Sequence, residues 1–154
     1  MAKKQQSITK YSYDHGNSVF TIYYKGNSFV GTAICHDDDK DMESQIIGLT
    51  IAESRAILAY LRHIRDNELR PQLASLKQLM YSMSHSKQYN RKSYEARMLY
   101  RHIQMYEEDL KNIKQEISRI KFHLFNYIKE KDELHKILRE KRKAKSDQEN
   151  TSEN

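Results

Sequence analysis

The clearest structural pattern lies in the second half of the chain, where residues 99–138 are LYRHIQMYEEDLKNIKQEISRIKFHLFNYIKEKDELHKIL. Its apolar residues recur in alternating steps of four and three, and neither Gly nor Pro interrupts them. The members of this stripe are Leu99, Ile103, Tyr106, Leu110, Ile113, Ile117, Ile120, Leu124, Tyr127, Lys131, Leu134 and Leu138. A heptad pattern of this length predicts one long coiled-coil helix.

Lys131 is the only charged member of the stripe. At a heptad position a lysine has two ordinary uses. It either sets the register of a homodimer or extends its ammonium group out to solvent at the end of the stripe. The sequence leaves both uses open.

A second helical pattern comes earlier in the chain and predicts a partner for the long helix. Thr50-Ile51-Ala52-Glu53 has the spacing of a capping box, so we expect the helix to begin there. Pro71 removes one backbone donor, but the apolar spacing of residues 69–83 continues past it, so we expect a kink and not an end. Residues 84–91 are polar and predict the turn of a long antiparallel helical hairpin over residues 50–143.

Residues 8–36 predict a β-meander. Asp14-His15-Gly16-Asn17 and Lys25-Gly26-Asn27 are turn signals between three β-rich runs. In the middle run, Phe20, Ile22 and Tyr24 share one face, while Val19, Thr21 and Tyr23 share the other. The predicted fold class is therefore α+β, with an N-terminal three-stranded antiparallel meander followed by the hairpin.

The remaining segments complete the predicted organisation. Residues 1–7 form a flexible N-terminus, residues 37–49 an acidic loop, and residues 144–154 a disordered tail. A helix over residues 92–143 spans roughly 78 Å and one over 51–83 roughly 50 Å, so the longer arm overhangs the shorter. The overhang contains Phe122, Phe125, Tyr127 and Ile128. We expect the sheet to pack there, and the alternative use is the seam of a homodimer.

Composition narrows the class of protein. Cys35 is the only cysteine, so no intramolecular disulfide forms and a reducing compartment is expected. The N-terminal residues lack the apolar region of a signal peptide, and no apolar run approaches the ~20 residues that span a bilayer. We therefore expect a cytoplasmic protein without a membrane segment.

No catalytic motif is present. The sequence contains no phosphate-binding glycine loop, nucleophile elbow, HExxH or CxxC, and no two of its histidines lie three or four residues apart. Cys35 and His36 would point to opposite faces of a strand, and the acidic run at 37–43 lacks the Gly and Glu of a calcium loop. We therefore expect no enzyme activity, no cofactor and no metal site.

Two kinds of binding residue stand out. Tyr11, Tyr13 and Tyr23 are predicted to share an uncovered sheet face, where they would anchor a protein partner or stack bases. With a net charge of +6, an anionic partner is a second hypothesis. Its contacts would be Arg139, Lys141, Arg142, Lys143 and Lys145 at the end of the long helix, and a further basic group, Arg91, Lys92, Arg97 and Arg101, lies beside the turn.

The stretch KGNSFVGTAICHDDD (residues 25–39), followed by GLTIAESRA (residues 48–56) and a charged coiled coil, resembles small accessory proteins of Gram-positive phages and mobile elements. The resemblance covers roughly residues 19–60 and carries no functional residue with it. It implies a product that acts on a host or phage complex, for example an inhibitor of a host defence nuclease such as an anti-CRISPR protein.

These observations favour a non-enzymatic protein-interaction module, either an inhibitor of a host complex or an assembly factor. The alternative is a basic accessory protein that binds nucleic acid through its C-terminal residues. A third hypothesis is a purely structural homodimer formed through the coiled coil.

Overall fold

The computed structural model describes residues 8–35 and 45–152, with side chains up to Asp147. Three strands, β1 (Ile8–Asp14), β2 (Asn17–Tyr24) and β3 (Asn27–Ile34), form an antiparallel sheet in the order β1-β2-β3. The helical elements that follow are α1 (Gln45–His63), a π-helical segment (Ile64–Leu69), α2 (Arg70–Ser84) and α3 (Tyr94–Ser152). The predicted α+β class and three-stranded meander are therefore confirmed.

Both hairpin turns consist of two residues, with glycine in second place. The φ angles are 42° and 87° at His15 and Gly16, and 47° and 78° at Lys25 and Gly26. Two consecutive positive φ angles are typical of the type I′ turn, whose twist matches that of the paired strands. The sequence predicted turns at both places, and these short connections fix the strand register.

The register assigns alternate residues to two faces of the sheet. One face is buried, and its central members are Ser18, Ile22, Phe29, Gly31 and Ala33. The other side, termed the open sheet face, carries the residues between them: Ile8, Lys10, Ser12, Asp14, Asn17, Val19, Thr21, Tyr23, Ser28, Val30, Thr32 and Ile34.

α1 covers the buried face of the sheet at very short range. Ala52 and Ala56 have no exposed surface. A Cβ atom on Gly31 would collide with the carbonyl oxygen of Ala52 and lie 2.5 Å from the backbone nitrogen of Ala56. The backbones of β3 and α1 are therefore in direct contact, which glycine at position 31 and alanine at positions 52 and 56 permit.

We expect Gly31→Ala to lower the free energy of unfolding by about 3 kcal/mol, because strand and helix must separate to admit the methyl group. Urea denaturation followed by circular dichroism measures this loss. Gly26→Ala is the control, since that glycine has a positive φ but no atom within 4 Å of an added Cβ. A cost of Gly31→Ala no larger than that of Gly26→Ala would show that the contact with α1 yields easily to an added methyl group.

α1 begins earlier than the sequence predicted. The chain is helical from Gln45, so residues 45–49 of the predicted acidic loop belong to α1, and residues 36–44 lie outside the described residues. Thr50 donates its hydroxyl to the carbonyl oxygen of Ile46 at 2.8 Å, so it lies inside the helix. The prediction of a capping box was wrong because Thr in a helix interior also bonds back to residue i−4, and the two cases share one sequence pattern.

The helical backbone continues past Pro71, as the sequence predicted. Proline removes a donor and crowds the preceding turn, and the π-helical segment Ile64–Leu69 lies immediately before it. Within this segment, the Asp66 carboxylate accepts hydrogen bonds of 2.7 Å from Arg65 and from Arg70. One acidic side chain therefore links the start of the π-helical segment to the first residue of α2.

By their contacts the described residues divide into two compact units. The first contains the sheet, α1 as far as Ile57, and α3 from Lys121 onward. The second is Leu58–Ile120. Among the described helices, none is long and apolar enough to cross a membrane.

In the second unit, α2 and α3 share one apolar core. Leu73, Leu99 and Ile103 are buried at its centre. The residues packed against them are Leu76, Met80, Met83, Tyr106 and Leu110. Lys77 of α2 and Glu107 of α3 form an ion pair of 2.7 Å at the edge of this core. The first part of the heptad stripe therefore meets its apolar partners within the same chain.

In the first unit, the stripe of α3 lies beside the sheet. Ile128 and Lys131 line one cavity together with Ser18 and Cys35, in agreement with the prediction that the sheet packs near this part of α3. Phe122 and Phe125, which we expected to join this contact, are 64% and 68% exposed. Both lie off the heptad stripe, so helical periodicity turns them away from the packed side.

α3 continues to Ser152, past residue 143 where the sequence predicted its end. The predicted disordered tail, residues 144–154, is therefore helical as far as Ser152. Lys, Arg, Glu, Gln and Ala dominate residues 139–149, and neither Gly nor Pro occurs there. These residue types are strong helix formers, and this intrinsic preference extends a helix that already exists.

Candidate functional site

The three tyrosines proposed from the sequence do not share one surface. Tyr11 and Tyr13 lie opposite Phe20 and Ser18, on the face that α1 covers, and the Tyr11 hydroxyl accepts a hydrogen bond of 2.7 Å from Gln45. Tyr23 lies on the open sheet face. The prediction of a common face was wrong. Alternation within a strand shows which of its own residues share a face, but only the register between β1 and β2 shows which residues of the two strands lie on the same face.

The open sheet face carries exposed apolar residues among polar ones. Ile8, Val30 and Ile34 are 63%, 51% and 79% exposed, and Tyr23 lies beside Ile8 in the neighbouring strand. The ammonium group of Lys10 lies 5.5 Å from the centre of the Tyr23 ring, within cation–π range. Alternation along β3 places Val30 and Ile34 on one side of the strand, but alternation alone does not indicate which side α1 covers.

A cavity of about 160 Å³ lies beneath the sheet in the first unit. This cavity is termed the sheet cavity. The residues that line it include Tyr13, Ser18, Cys35, Gly48, Lys131, Asp132 and His135. Ser18 is only 1% exposed, and its Oγ atom makes no hydrogen bond within the described part of the chain. A buried hydroxyl without a partner is costly, so this position is a candidate for hydration or for a small polar ligand.

Lys131, the charged member of the heptad stripe, lies at the edge of the sheet cavity. Its ammonium group lies 3.0 Å from the carboxylate of Glu130 and 5.2 Å from the centre of the Tyr127 ring. The hydrogen bond from Lys131 to Glu130 raises the pKa of the lysine, so the group stays charged. Its aliphatic stem is largely covered while its charged end is paired.

No metal site emerges among the described residues. Over residues 8–35 and 45–147, no three His, Cys, Asp or Glu side chains are grouped closely enough to hold an ion. Cys35, which we considered as a ligand, is half-buried at the sheet cavity. His36 and the acidic residues that follow it lie outside the described residues.

The C-terminal basic residues lie along α3. Arg139 is half-buried and donates from Nε to the carbonyl oxygen of His135 at 3.4 Å. The other four members are exposed: Lys141, Arg142, Lys143 and Lys145. Their use in nucleic-acid binding stays a prediction.

Comparison with known proteins gives no relative for this chain: no protein-family model, no curated protein and no solved structure matches it.

The contact between Ser18 and Gly48 offers a direct test of the buried hydroxyl. A Cβ atom on Gly48 would overlap Ser18 Oγ and lie 3.1 Å from Ser18 Cβ. We expect Gly48→Ala alone to lower the free energy of unfolding by about 2 kcal/mol. We expect Ser18→Ala to raise it by about 1 kcal/mol, because the unpaired hydroxyl disappears.

The double variant Ser18→Ala/Gly48→Ala should be at least as stable as the parent protein. The overlapping oxygen is gone, and Ala is a better helix former than Gly by about 1 kcal/mol. Urea denaturation of all four proteins gives the coupling energy between the two sites. Strictly additive effects would show that the two side chains do not meet.

Proposed function

We propose that this protein is a non-enzymatic protein-interaction module that docks through its open sheet face onto an apolar surface of a partner protein. The observation that carries the proposal is the exposure of Ile8, Val30 and Ile34 on one face of the sheet. Ile8 is paired with Tyr23 and Val30 lies diagonally across from Tyr23, so these three form one apolar group, and Ile34 lies further along β3. Single exposed apolar residues are ordinary, but grouped ones are typical of interaction sites.

The composition of the open sheet face supports this role. Val30, Ile34 and Ile8 are β-branched and stiff at χ1, so little side-chain entropy is lost when they are covered. Tyr23 adds an aromatic ring with a polar end, a residue type that is enriched in binding hot spots. Lys10 adds a charge at the margin, where rim residues usually lie.

We propose further that α2 and α3 form an antiparallel coiled-coil hairpin closed within one chain. The core around Leu73, Leu99 and Ile103 supports it, as does the ion pair between Lys77 and Glu107. An intramolecular seam removes the main reason to invoke a homodimer, since the first part of the heptad stripe is then already occupied.

The resemblance of residues 19–60 to accessory proteins of Gram-positive phages suggests the setting. In that setting the module would act by occupying a surface of a host or phage complex, as an inhibitor or an assembly factor. This mode of action needs no catalytic group, cofactor or metal. The exposure of Lys141, Arg142, Lys143 and Lys145 supports the alternative, a nucleic-acid-binding accessory protein.

We expect Val30→Thr/Ile34→Thr to abolish partner binding, because it removes apolar contact area while keeping β-branched residues in the strand. The measurement is a pull-down from a lysate of a Gram-positive bacterium, treated with nuclease and analysed by quantitative mass spectrometry. Phe122→Gln/Phe125→Gln is the matched control, since it removes exposed apolar surface elsewhere in the first unit.

A protein complex that the parent and the phenylalanine variant retain, and that the sheet variant loses, would support the proposal. Equal retention by all three proteins would contradict it, and so would a complex that disappears with nuclease. A second copy of the chain is the competing occupant of the open sheet face, and sedimentation of the purified protein tests for it. A dimer that dissociates in the sheet variant would show that the open sheet face binds a second copy.

A further inference from the structure

The second unit has a concave basic surface where α2 ends and α3 begins. A cavity of about 330 Å³, termed the tip cavity, is lined there by Tyr89, Arg91, Arg97, Tyr100, Arg101 and Gln104. Its size falls at the lower end of the range of small-ligand pockets, about 300–1,000 Å³. Carboxylate side chains are missing from this lining.

The segment that carries the tip cavity is held by its own hydrogen bonds. The backbone nitrogen of Tyr89 donates to the carbonyl oxygen of Ser86 at 3.0 Å, and that of Ser93 donates to Asn90 at 2.9 Å. Ser93 Oγ accepts from the nitrogen of Ala96 at 3.2 Å, which caps the start of α3. The cavity walls therefore come from an ordered turn and from the first turns of a helix.

The arginines of the tip cavity have no acidic partner among the described residues. Arg65, Arg70 and Arg119, by contrast, each lie within 2.5–2.7 Å of a carboxylate oxygen. Charge around the tip is one-sided: residues 84–104 contain one acidic residue, Glu95, and five basic residues, Lys87, Arg91, Lys92, Arg97 and Arg101. Three uncompensated guanidinium groups on one concave surface favour an anion.

The aromatic residues narrow the class of anion. Tyr100 is 55% exposed, and Tyr89 lines the same concave surface. Guanidinium groups bind phosphate oxygens in a bidentate manner, while tyrosine rings stack on bases of any sequence. Gln104 adds an amide that donates and accepts, as the edge of a base requires. An acidic peptide would use the arginines but leave the rings without a matching partner.

We propose that the tip cavity binds a nucleotide unit, its phosphate held by Arg91, Arg97 and Arg101 and its base stacked on tyrosine. The unit is either a free nucleotide or one residue of a single-stranded nucleic acid. The residues of this site all belong to the second unit, whereas those of the open sheet face belong to the first. The C-terminal basic residues of α3 also belong to the first unit.

The test is fluorescence anisotropy with labelled oligo(dT) and oligo(rU), between about 50 and 200 mM salt. Arg97→Gln/Arg101→Gln should weaken binding at least about tenfold and reduce the slope of log affinity against log salt by about 1.4, because two phosphate contacts are lost. Tyr100→Leu should weaken binding about tenfold and leave the salt slope unchanged, because stacking is lost and charge is kept.

Lys121→Gln/Lys129→Gln is the matched control, since it removes the same charge from exposed positions of α3 outside every proposed binding surface and should leave the affinity unchanged. Circular dichroism verifies that every variant is folded. Competition with uridine and thymidine monophosphates identifies the source: displacement by the monomers supports a free nucleotide, and displacement by oligomers alone supports a single strand.

Three results would overturn the proposal. One is an equal loss of affinity in the lysine control, which would show that binding depends on net charge alone. Another is full affinity in Tyr100→Leu together with competition by inorganic polyphosphate as strong as that by the oligonucleotides. This result would show that the protein does not recognise the base. The last is the absence of binding to any of these probes at the lowest salt concentration.

Discussion

The close contact between Gly31 and α1 is the constraint on which the first unit depends. Strand and helix backbones meet there with no side chain between them, and Ala52 and Ala56 are fully buried as a result. A sheet of three strands is too small to be stable without a covering element. By fixing which face α1 covers, this contact also leaves Val30 and Ile34 on the side that remains exposed.

A second close approach follows from the first. Gly48 lies on the same helix and meets the buried Ser18, so small residues of α1 are positioned against small residues of the sheet along the contact. Where the small residues leave space unfilled, the sheet cavity forms, with Ser18 and Lys131 in its walls. Stability at this contact therefore depends more on the small size of Gly31, Gly48 and Ser18 than on the area buried by large apolar side chains.

The two proposed surfaces rely on different physical forces. The open sheet face would bind through apolar area, whose contribution changes little with salt concentration. The tip cavity would bind through guanidinium groups, whose contribution falls steeply as salt rises. Because Val30 belongs to the first unit and Arg97 to the second, substitutions at one surface should leave the other intact.

The local elements could be predicted from the residues alone. The two glycine turns, the alternation within β2 and the heptad stripe from Leu99 onward all follow from short-range periodicity and backbone preference. The prediction was wrong at Thr50, because one residue pattern fits two positions in a helix. It also ended α3 too early, because a run of charged residues is compatible both with a disordered tail and with a solvated helix. Tertiary contacts were needed to show which tyrosines share a face and that Arg91, Arg97 and Tyr100 line one cavity. The reason is that strand register and helix pairing bring together residues far apart in the chain, and no local pattern encodes those distances.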